Sequence, residues 1–296
     1  MILPPLPVTV IAGYLGAGKT SLVNHLLRNP GGRRLMVMVN DFGELNIDAE
    51  LLESADEDTL TLSNGCICCT MGTELLYALG DAIDRRPRPD HLVIEASGVA
   101  QPEKIAAAAH AEPEMQYAGV VTVADAANIG ALTGDAMIGA QIAGQLEVAD
   151  LVALTKTDIG GDATTLVQGL TKAPIVKAPM GAIDPMLVLG PTSPQTPGSG
   201  HVHDHGADYA QWSAKGGLVD RETLKAFLST PPKGLYRFKG VFRFSDGSSG
   251  EAHIVGSTFA IRTADVENTA AVAIGLSAEF DPDDMAAAWY ELTTSN

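Results

Sequence analysis

The fold of this chain is indicated by one stretch of sequence, Gly13-Tyr14-Leu15-Gly16-Ala17-Gly18-Lys19-Thr20. The stretch follows a short apolar run at 8–12, which predicts a strand, and precedes a helical pattern at 20–27. A glycine-rich turn in this context directs successive backbone N–H groups inward, where they bind phosphate oxygens. We therefore predict a phosphate-binding loop for a nucleoside triphosphate, formed by Gly13, Gly16, Ala17, Gly18, Lys19, Thr20 and Ser21. A chance glycine-rich turn between a strand and a helix is the alternative.

Three side chains are predicted to carry the chemistry of this loop. Lys19 is placed to reach the β- and γ-phosphates, and the Thr20 hydroxyl is placed to ligate Mg²⁺. Glu95 ends the apolar run 92–94 and is expected to bring a carboxylate to the same ion. Gly98, shortly after it, lets the backbone approach the γ-phosphate. The alternative for Glu95 is an ordinary glutamate at the solvent end of a strand.

A third segment, Thr155-Lys156-Thr157-Asp158, follows the apolar run 151–154. The Asp158 carboxylate can accept two hydrogen bonds from the N–H donors of guanine, whereas adenine offers no such pair. A site in which the wrong base leaves an acceptor unpaired discriminates strongly. Together with the phosphate loop, Thr155, Lys156 and Asp158 predict a site for GTP.

All three cysteines of the chain lie within four residues, at Cys66, Cys68 and Cys69. Thiolates bind Zn²⁺ and other borderline or soft metals, so the cluster predicts two or three ligands of one tetrahedral site. Glu44, in the loop after the second predicted strand, is a candidate for a further ligand. The alternative is a set of small side chains that pack as hydrophobic residues after a strand.

Three histidines, His201, His203 and His205, alternate along a segment rich in glycine and proline. In an extended chain, alternate side chains share a face, so three imidazoles can gather on one metal ion. The alternative is a solvated linker that happens to contain histidines.

The order of the predicted elements indicates an α/β fold. Short apolar runs alternate with helices over residues 1–189, which predicts a P-loop domain with a mostly parallel sheet. The stretch 190–209 is rich in Gly, Pro and His and is interpreted as a linker. Residues 210–296 are expected to form a small α+β domain. Its predicted elements are helices at 221–228 and 282–292 and strands at 235–244, 254–261 and 271–276.

The composition argues against several kinds of partner. The 296 residues include 36 acidic and 19 basic side chains, a formal net charge of −17. A protein with this much negative charge is repelled by the phosphates of nucleic acids and by anionic lipids. We therefore expect neither nucleic-acid nor membrane binding. The amino terminus lacks the features of a signal peptide, and clustered cysteines suit a reducing compartment. We therefore expect a cytoplasmic protein.

Taken together, these motifs resemble the CobW family of metal-handling P-loop GTPases, relatives of the GTPases that load nickel into urease and hydrogenase. The resemblance covers most of the chain, and the C-x-C-C spacing is its most specific part. It rests on Gly13 to Thr20, Asn40 to Glu44 with Asp48, Gly65 to Cys69, Glu95 to Gly98 with Pro102, Thr155 to Asp158, the histidine-rich linker and Tyr236 to Gly240.

The resemblance implies GTP hydrolysis coupled to the binding of Zn²⁺ or Co²⁺ and its delivery to a client metalloprotein or a metal-insertion complex. It also implies a protein whose oligomeric state can depend on metal. The segment from Asn40 to Cys69 is then the switch that senses the γ-phosphate. Two positions depart from the family pattern. Thr155 replaces the usual Asn, which predicts softer guanine selectivity, and Val39 stands where some members have an acidic metal ligand. A plain metal buffer and a P-loop kinase for a small molecule are the alternative functions.

Overall fold

The computed structural model describes residues 4–40, 59–62, 73–191, 203–204, 209–276 and 279–294. The chain divides into two compact units, Met1–Leu189 and Gly190–Asn296, each built around its own sheet. Among these described residues, no helix has the length and apolar character needed to cross a lipid bilayer.

A parallel seven-stranded sheet forms the centre of the first unit. Its strands are β1 (Leu6–Ala12), β2 (Leu35–Asn40), β3 (Thr59–Leu62), β4 (His91–Glu95), β5 (Met115–Asp125), β6 (Leu151–Thr155) and β7 (Ile175–Lys177). Their order across the sheet is β3-β2-β4-β1-β5-β6-β7. The helices are α1 (Lys19–Arg28), α2 (Thr73–Asp84), α3 (Pro102–Ala111), α4 (Ile129–Thr133), α5 (Gly139–Glu147), α6 (Thr157–Gly160), α7 (Thr164–Gln168) and α8 (Pro185–Leu189), with a 3-10 turn at Pro179–Gly181. The predicted α/β architecture is confirmed.

The order and register of the central strands determine which loops lie next to each other at the edge of the sheet. The central strands β4, β5 and β6 are buried along their whole length, as in parallel sheets that helices cover on both faces. β1 lies between β4 and β5, with Ile11 in register with Glu95 and Ala12 with Thr122. Because the carboxyl ends of parallel strands meet at one edge of a sheet, the loop after β1 lies beside the ends of its neighbours.

The second unit contains an antiparallel six-stranded sheet and two helices among its described residues. The strands are β8 (His203–Asp204), β9 (Tyr209–Lys215), β10 (Leu235–Arg243), β11 (Ser249–Val255), β12 (Thr258–Thr263) and β13 (Ala270–Leu276), in the order β12-β11-β10-β13-β9-β8. Helices α9 (Arg221–Ser229) and α10 (Pro282–Thr294) complete the unit, and its core is rich in Phe and Trp. The predicted α+β character is confirmed.

The predicted single strand at 254–261 is wrong. The chain reverses at Gly256 and Ser257, so the segment belongs to two antiparallel strands, with Val255 of β11 paired to Thr258 of β12. Gly256 has φ 55, a left-handed conformation that suits glycine in a two-residue turn. Apolar residues on both sides of the turn concealed the reversal. The sequence pattern also gave no indication of β9, which begins at Tyr209.

Candidate nucleotide-binding site

The phosphate loop joins the end of β1 to the start of α1, as its motif predicts. Gly13 has φ 135, and a Cβ at this position would lie 2.3 Å from the carbonyl oxygen of Val123 in β5. Gly18 has φ 101 and immediately precedes α1. The loop therefore needs glycine at both positions, for space at the first and for backbone conformation at the second. The first turn of α1 contains no acidic residue, so its partial positive charge stays available to an anion.

The structure brings together the two predicted Mg²⁺ ligands. Thr20 Oγ1 donates a hydrogen bond to Glu95 Oε1 at 3.0 Å. Glu95 is buried at the end of β4, and Thr20 is half-buried in the first turn of α1. Hydroxyl and carboxylate oxygens are ligands that Mg²⁺ prefers, so the donor set beside the phosphate loop fits this ion.

Lys19 lies at the first position of α1 with its ammonium group turned back over the phosphate loop. Its Nζ donates to the Tyr14 carbonyl oxygen at 3.3 Å, and the residue is 7% exposed. A cation held so close to the loop, and so little in contact with water, interacts strongly with phosphate. The other predicted contact residues of this loop differ in burial: Ala17 is buried, whereas Gly16 and Ser21 are exposed.

The segment after β4 passes directly against the phosphate loop. A Cβ placed on Gly98 would lie 2.7 Å from the backbone nitrogen of Leu15. The Ala96 N–H donates to the Ile11 carbonyl at 2.8 Å, and the Ala100 N–H donates to the Ser97 carbonyl at 2.9 Å, which closes a turn around Gly98. The missing side chain at Gly98 therefore permits a close approach of the two loops.

The predicted base-recognition segment is bonded to the same loop. Thr155 Oγ1 donates to the Ala17 carbonyl at 2.7 Å, and Lys156 Nζ donates to the Gly16 carbonyl at 2.8 Å. Asp158 lies two residues further on, exposed in the short helix α6. Thr155 and Lys156 thus fix the end of β6 beside the phosphate loop and leave the Asp158 carboxylate open to a ligand.

Asp125, at the end of β5, is a residue of this site that the sequence pattern did not single out. It is 5% exposed, and its Oδ2 accepts hydrogen bonds from Lys156 Nζ at 2.7 Å and from Asn128 Nδ2 at 2.8 Å. Burial raises the pKa of Asp125. Hydrogen bonds from Lys156, Asn128 and the Ala127 N–H, together with the charge of Lys156, lower the pKa by more than burial raises it. The pKa of Asp125 is therefore below its ordinary value. Ionised Asp125 therefore holds Lys156 against the phosphate loop.

We expect Asp125→Asn to lower the free energy of unfolding by about 1–2 kcal/mol at about pH 7, because a nearly buried charge pair loses one member. The Lys156 side chain is 36% exposed, so the effect is smaller than for a fully buried pair. Urea unfolding followed by circular dichroism measures the change. The exposed pair Asp162–Lys177, with Nζ and Oδ2 3.0 Å apart, supplies the matched control Asp162→Asn, for which we expect little change.

The effect of Asp125→Asn should depend on pH. Because the pKa of Asp125 is lower in the folded protein than in the unfolded chain, its ionised form stabilises the fold fully above the unfolded pKa of about 3.9. That contribution is lost as the pH falls through the folded pKa. The difference between wild type and variant should therefore be constant above about pH 5 and shrink over the range below about pH 4. A difference that is constant over this range would contradict the assignment of the ionised carboxylate.

Most of the predicted transition-metal ligands lie outside the described residues: Glu44, Cys66, Cys68, Cys69, His201 and His205. His203 belongs to the short strand β8, where it pairs with Gln211 of β9. Within the described ranges, no group of three or more Cys, His, Asp or Glu side chains is arranged to hold a metal ion. The cysteine and histidine sites therefore stay predictions from the sequence.

Two protein-family models match the chain. The model of the CobW/HypB/UreG nucleotide-binding domain matches residues 7–176, more than half of the chain, and this range contains every described residue of the nucleotide site. The model of the cobalamin synthesis protein cobW C-terminal domain matches residues 213–292 in the second unit.

Curated relatives and solved structures are also similar to this chain. A zinc chaperone CobW from a Sinorhizobium species is 35% identical over 182 residues, which are 52% of this chain and 51% of that protein. The zinc chaperone YjiA of Escherichia coli K12 is 35% identical over 192 residues, 61% of this chain and 59% of that protein. The chain thus spans about half the length of these curated relatives. A crystal structure of Zn(II)-bound YjiA GTPase from E. coli is 23% identical, covers 98% of this chain and 99% of that chain, and has a TM-score of 0.47.

Proposed function

We propose that this chain, which belongs to the CobW/HypB/UreG family of nucleotide-binding proteins, hydrolyses GTP and couples hydrolysis to the binding and delivery of a transition metal. One observation carries the proposal: the phosphate loop, the Thr20–Glu95 contact and the base-recognition segment meet at one edge of the parallel sheet. Phosphate binding, metal-ion binding and base selection are the three functions that such a hydrolase combines.

In this proposal the phosphates lie on the backbone N–H groups of the loop and at the amino-terminal end of α1. Lys19 stabilises the negative charge that develops on the transferred phosphoryl group, because its ammonium group is already held in place before the reaction. Thr20 and Glu95 hold Mg²⁺, which neutralises phosphate charge when it is bound. Gly98 allows the segment after β4 to approach the γ-phosphate.

Guanine is the proposed base because Asp158 presents a carboxylate to its paired N–H donors. Lys156 orients this segment through its bonds to Gly16 and Asp125, and Thr155 does so through its bond to Ala17. The Thr155 hydroxyl has one proton to donate, whereas a side-chain amide at this position has two. Thr155 therefore fixes the base-recognition segment with fewer hydrogen bonds than an amide would. This limit supports the prediction of softer selectivity for guanine over other bases.

The proposed cargo is Zn²⁺ or Co²⁺, bound by Cys66, Cys68 and Cys69 with Glu44 as a further ligand. Thiolate and carboxylate ligands suit either ion, and relatives named zinc chaperones favour zinc. The receiving partner is a client metalloprotein, and assembly of the chain into an oligomer is proposed to respond to bound metal. The tract His201, His203 and His205 is a second, weaker place for the same cargo.

We further propose the following domain boundaries. Residues 1–189 are the proposed GTPase domain, 190–209 the linker and 210–296 the CobW-type carboxyl-terminal domain, and the matched ranges 7–176 and 213–292 support this division. His203, Asp204 and Tyr209, at the end of the proposed linker, already belong to strands of the second sheet. A cluster of three cysteines that binds metal as thiolates has to stay reduced, so the proposed location is the cytoplasm.

Steady-state hydrolysis of GTP and ATP in the presence of Mg²⁺ tests this function. We expect kcat/KM to be higher for GTP, and we expect Asp158→Asn to lower kcat/KM for GTP by about 10- to 100-fold, mainly through KM. The reason is that a carboxylate contributes two charge-assisted hydrogen bonds to guanine that an amide cannot reproduce. Asp162→Asn, four residues further along, is the matched control and should leave KM unchanged.

The same assay separates the alternatives. Absence of turnover with and without added Zn²⁺ or Co²⁺ would favour a metal buffer over a hydrolase. Faster use of ATP than of GTP, with transfer of phosphate to an added small molecule instead of water, would favour a kinase. An Asp158→Asn variant that hydrolyses GTP like the wild type would remove the argument for guanine.

A further inference from the structure

Gln145 in α5 is a buried polar residue that links the segment 96–100, here called the Gly98 turn, to the central sheet. It is 3% exposed, and its Nε2 donates to the carbonyl oxygens of Gly98 at 3.2 Å and Ala100 at 3.0 Å. The backbone of Gln145 is itself fixed, because Thr122 Oγ1 of β5 donates to its carbonyl at 2.8 Å. The Gly98 turn is therefore bonded to β1 at Ala96 and to α5 at Gly98 and Ala100.

The orientation of the Gln145 amide follows from these contacts. Oε1 is buried and has no hydrogen-bond partner within the described part of the chain. Turning the amide round would place Oε1 against two carbonyl oxygens and deprive both of their donor. Burying an unpaired amide oxygen is unfavourable, and an apolar residue of similar size would avoid it. The two donated bonds therefore explain glutamine at this position better than packing does.

Gln145 also lies close to the phosphate loop. It lines a small cavity together with Gly13, Tyr14 and Leu15. Gly98 approaches the same loop so closely that a Cβ on it would lie 2.7 Å from the Leu15 nitrogen. The Gly98 turn is thus confined between Leu15 of the phosphate loop and the Gln145 amide.

We infer that Gln145 is a positioning residue that holds the Gly98 turn ready for the γ-phosphate and thereby sets the preference for GTP over GDP. The inference rests on the proposed function, since it requires a guanine nucleotide on the phosphate loop. GDP has no γ-phosphate, so loss of the two bonds weakens GTP binding selectively. A purely structural role for Gln145 predicts equal losses for both nucleotides.

The test uses the full chain and the variant Gln145→Met, which keeps a similar side-chain volume and removes both donors. Affinities for GDP and for a non-hydrolysable GTP analogue are measured by calorimetry with Mg²⁺ present. We expect the preference for the analogue over GDP to fall about tenfold, with GDP affinity within about twofold of wild type. Gln141→Met, one turn earlier on α5, is the matched control and should preserve the preference.

An unchanged preference in Gln145→Met, or equal losses for both nucleotides, would overturn the inference. If the wild-type protein binds no guanine nucleotide, the proposed function fails instead. Should Gln145→Met not fold, hydrogen exchange of the wild-type protein decides the question. Peptides covering 96–100 and 139–147 should then be better protected with the GTP analogue than with GDP, and equal protection would contradict the role of Gln145.

Discussion

Replacing Lys19 with alanine is expected to lower kcat for GTP hydrolysis by about 10²- to 10³-fold, the effect of removing one preorganised charge from a transition state. The size of the effect follows from where the ammonium group lies. Lys19 is 7% exposed and bonded to the Tyr14 carbonyl of the phosphate loop, so it has little water to lose when the reaction begins. Negative charge moves across the phosphoryl group during transfer. Lys156 also bonds to the loop, at the Gly16 carbonyl, but its charge is already paired with the Asp125 carboxylate.

Single-turnover measurements with saturating Mg²⁺–GTP separate this effect from weaker binding, since Lys19 also contacts the ground-state phosphates in the proposal. Lys172→Ala, an exposed lysine of the same unit, is the control and should keep full turnover. The thermal unfolding midpoint shows whether Lys19→Ala is folded. A folded Lys19→Ala protein that turns over within about threefold of wild type would remove Lys19 from the reaction.

Much of the nucleotide site was predictable because each of its motifs is local and ends a strand. Gly13 to Thr20, Glu95 and Thr155 to Asp158 each follow an apolar run, and parallel strands bring such ends to one edge. The contact of Thr20 with Glu95 shows the consequence, since 75 residues separate two side chains that lie 3.0 Å apart. Neighbouring positions of β1 and β4 in the sheet are enough to produce it.

The supporting residues were not predictable in the same way. Asp125 ends β5, but its role depends on Lys156, and their pairing requires β5 and β6 to be neighbours. Gln145 is a single polar residue inside a helix, with its partners 45 and 47 residues earlier in the chain. The hairpin at Gly256 was hidden for a related reason, because a hydrophobic pattern shows which residues are buried and leaves open where a strand reverses.

The second large effect is expected at the cysteines. Replacing Cys66, Cys68 and Cys69 together with serine should lower the affinity for Zn²⁺ at least about 100-fold, because thiolates are the strongest zinc ligands in the proposed set. Competition with a chromophoric chelator under reducing conditions measures this affinity. Thiolate ligation releases protons, so the wild-type affinity should also fall as the pH is lowered below the pKa range of the thiols.

In the sequence the cysteines lie between two nucleotide-binding motifs, the phosphate loop and Glu95 to Gly98. Metal binding and nucleotide binding are therefore expected to be coupled. If this segment changes with the γ-phosphate, wild-type Zn²⁺ affinity should differ about 5- to 150-fold between complexes with a GTP analogue and with GDP, and zinc should change nucleotide affinity by the same factor. The matched control replaces His201, His203 and His205 with alanine, which should remove weak binding and preserve the nucleotide-dependent site. If the zinc affinity is equal in both nucleotide states and Cys68→Ala changes neither value, the nucleotide site and the metal site are not coupled.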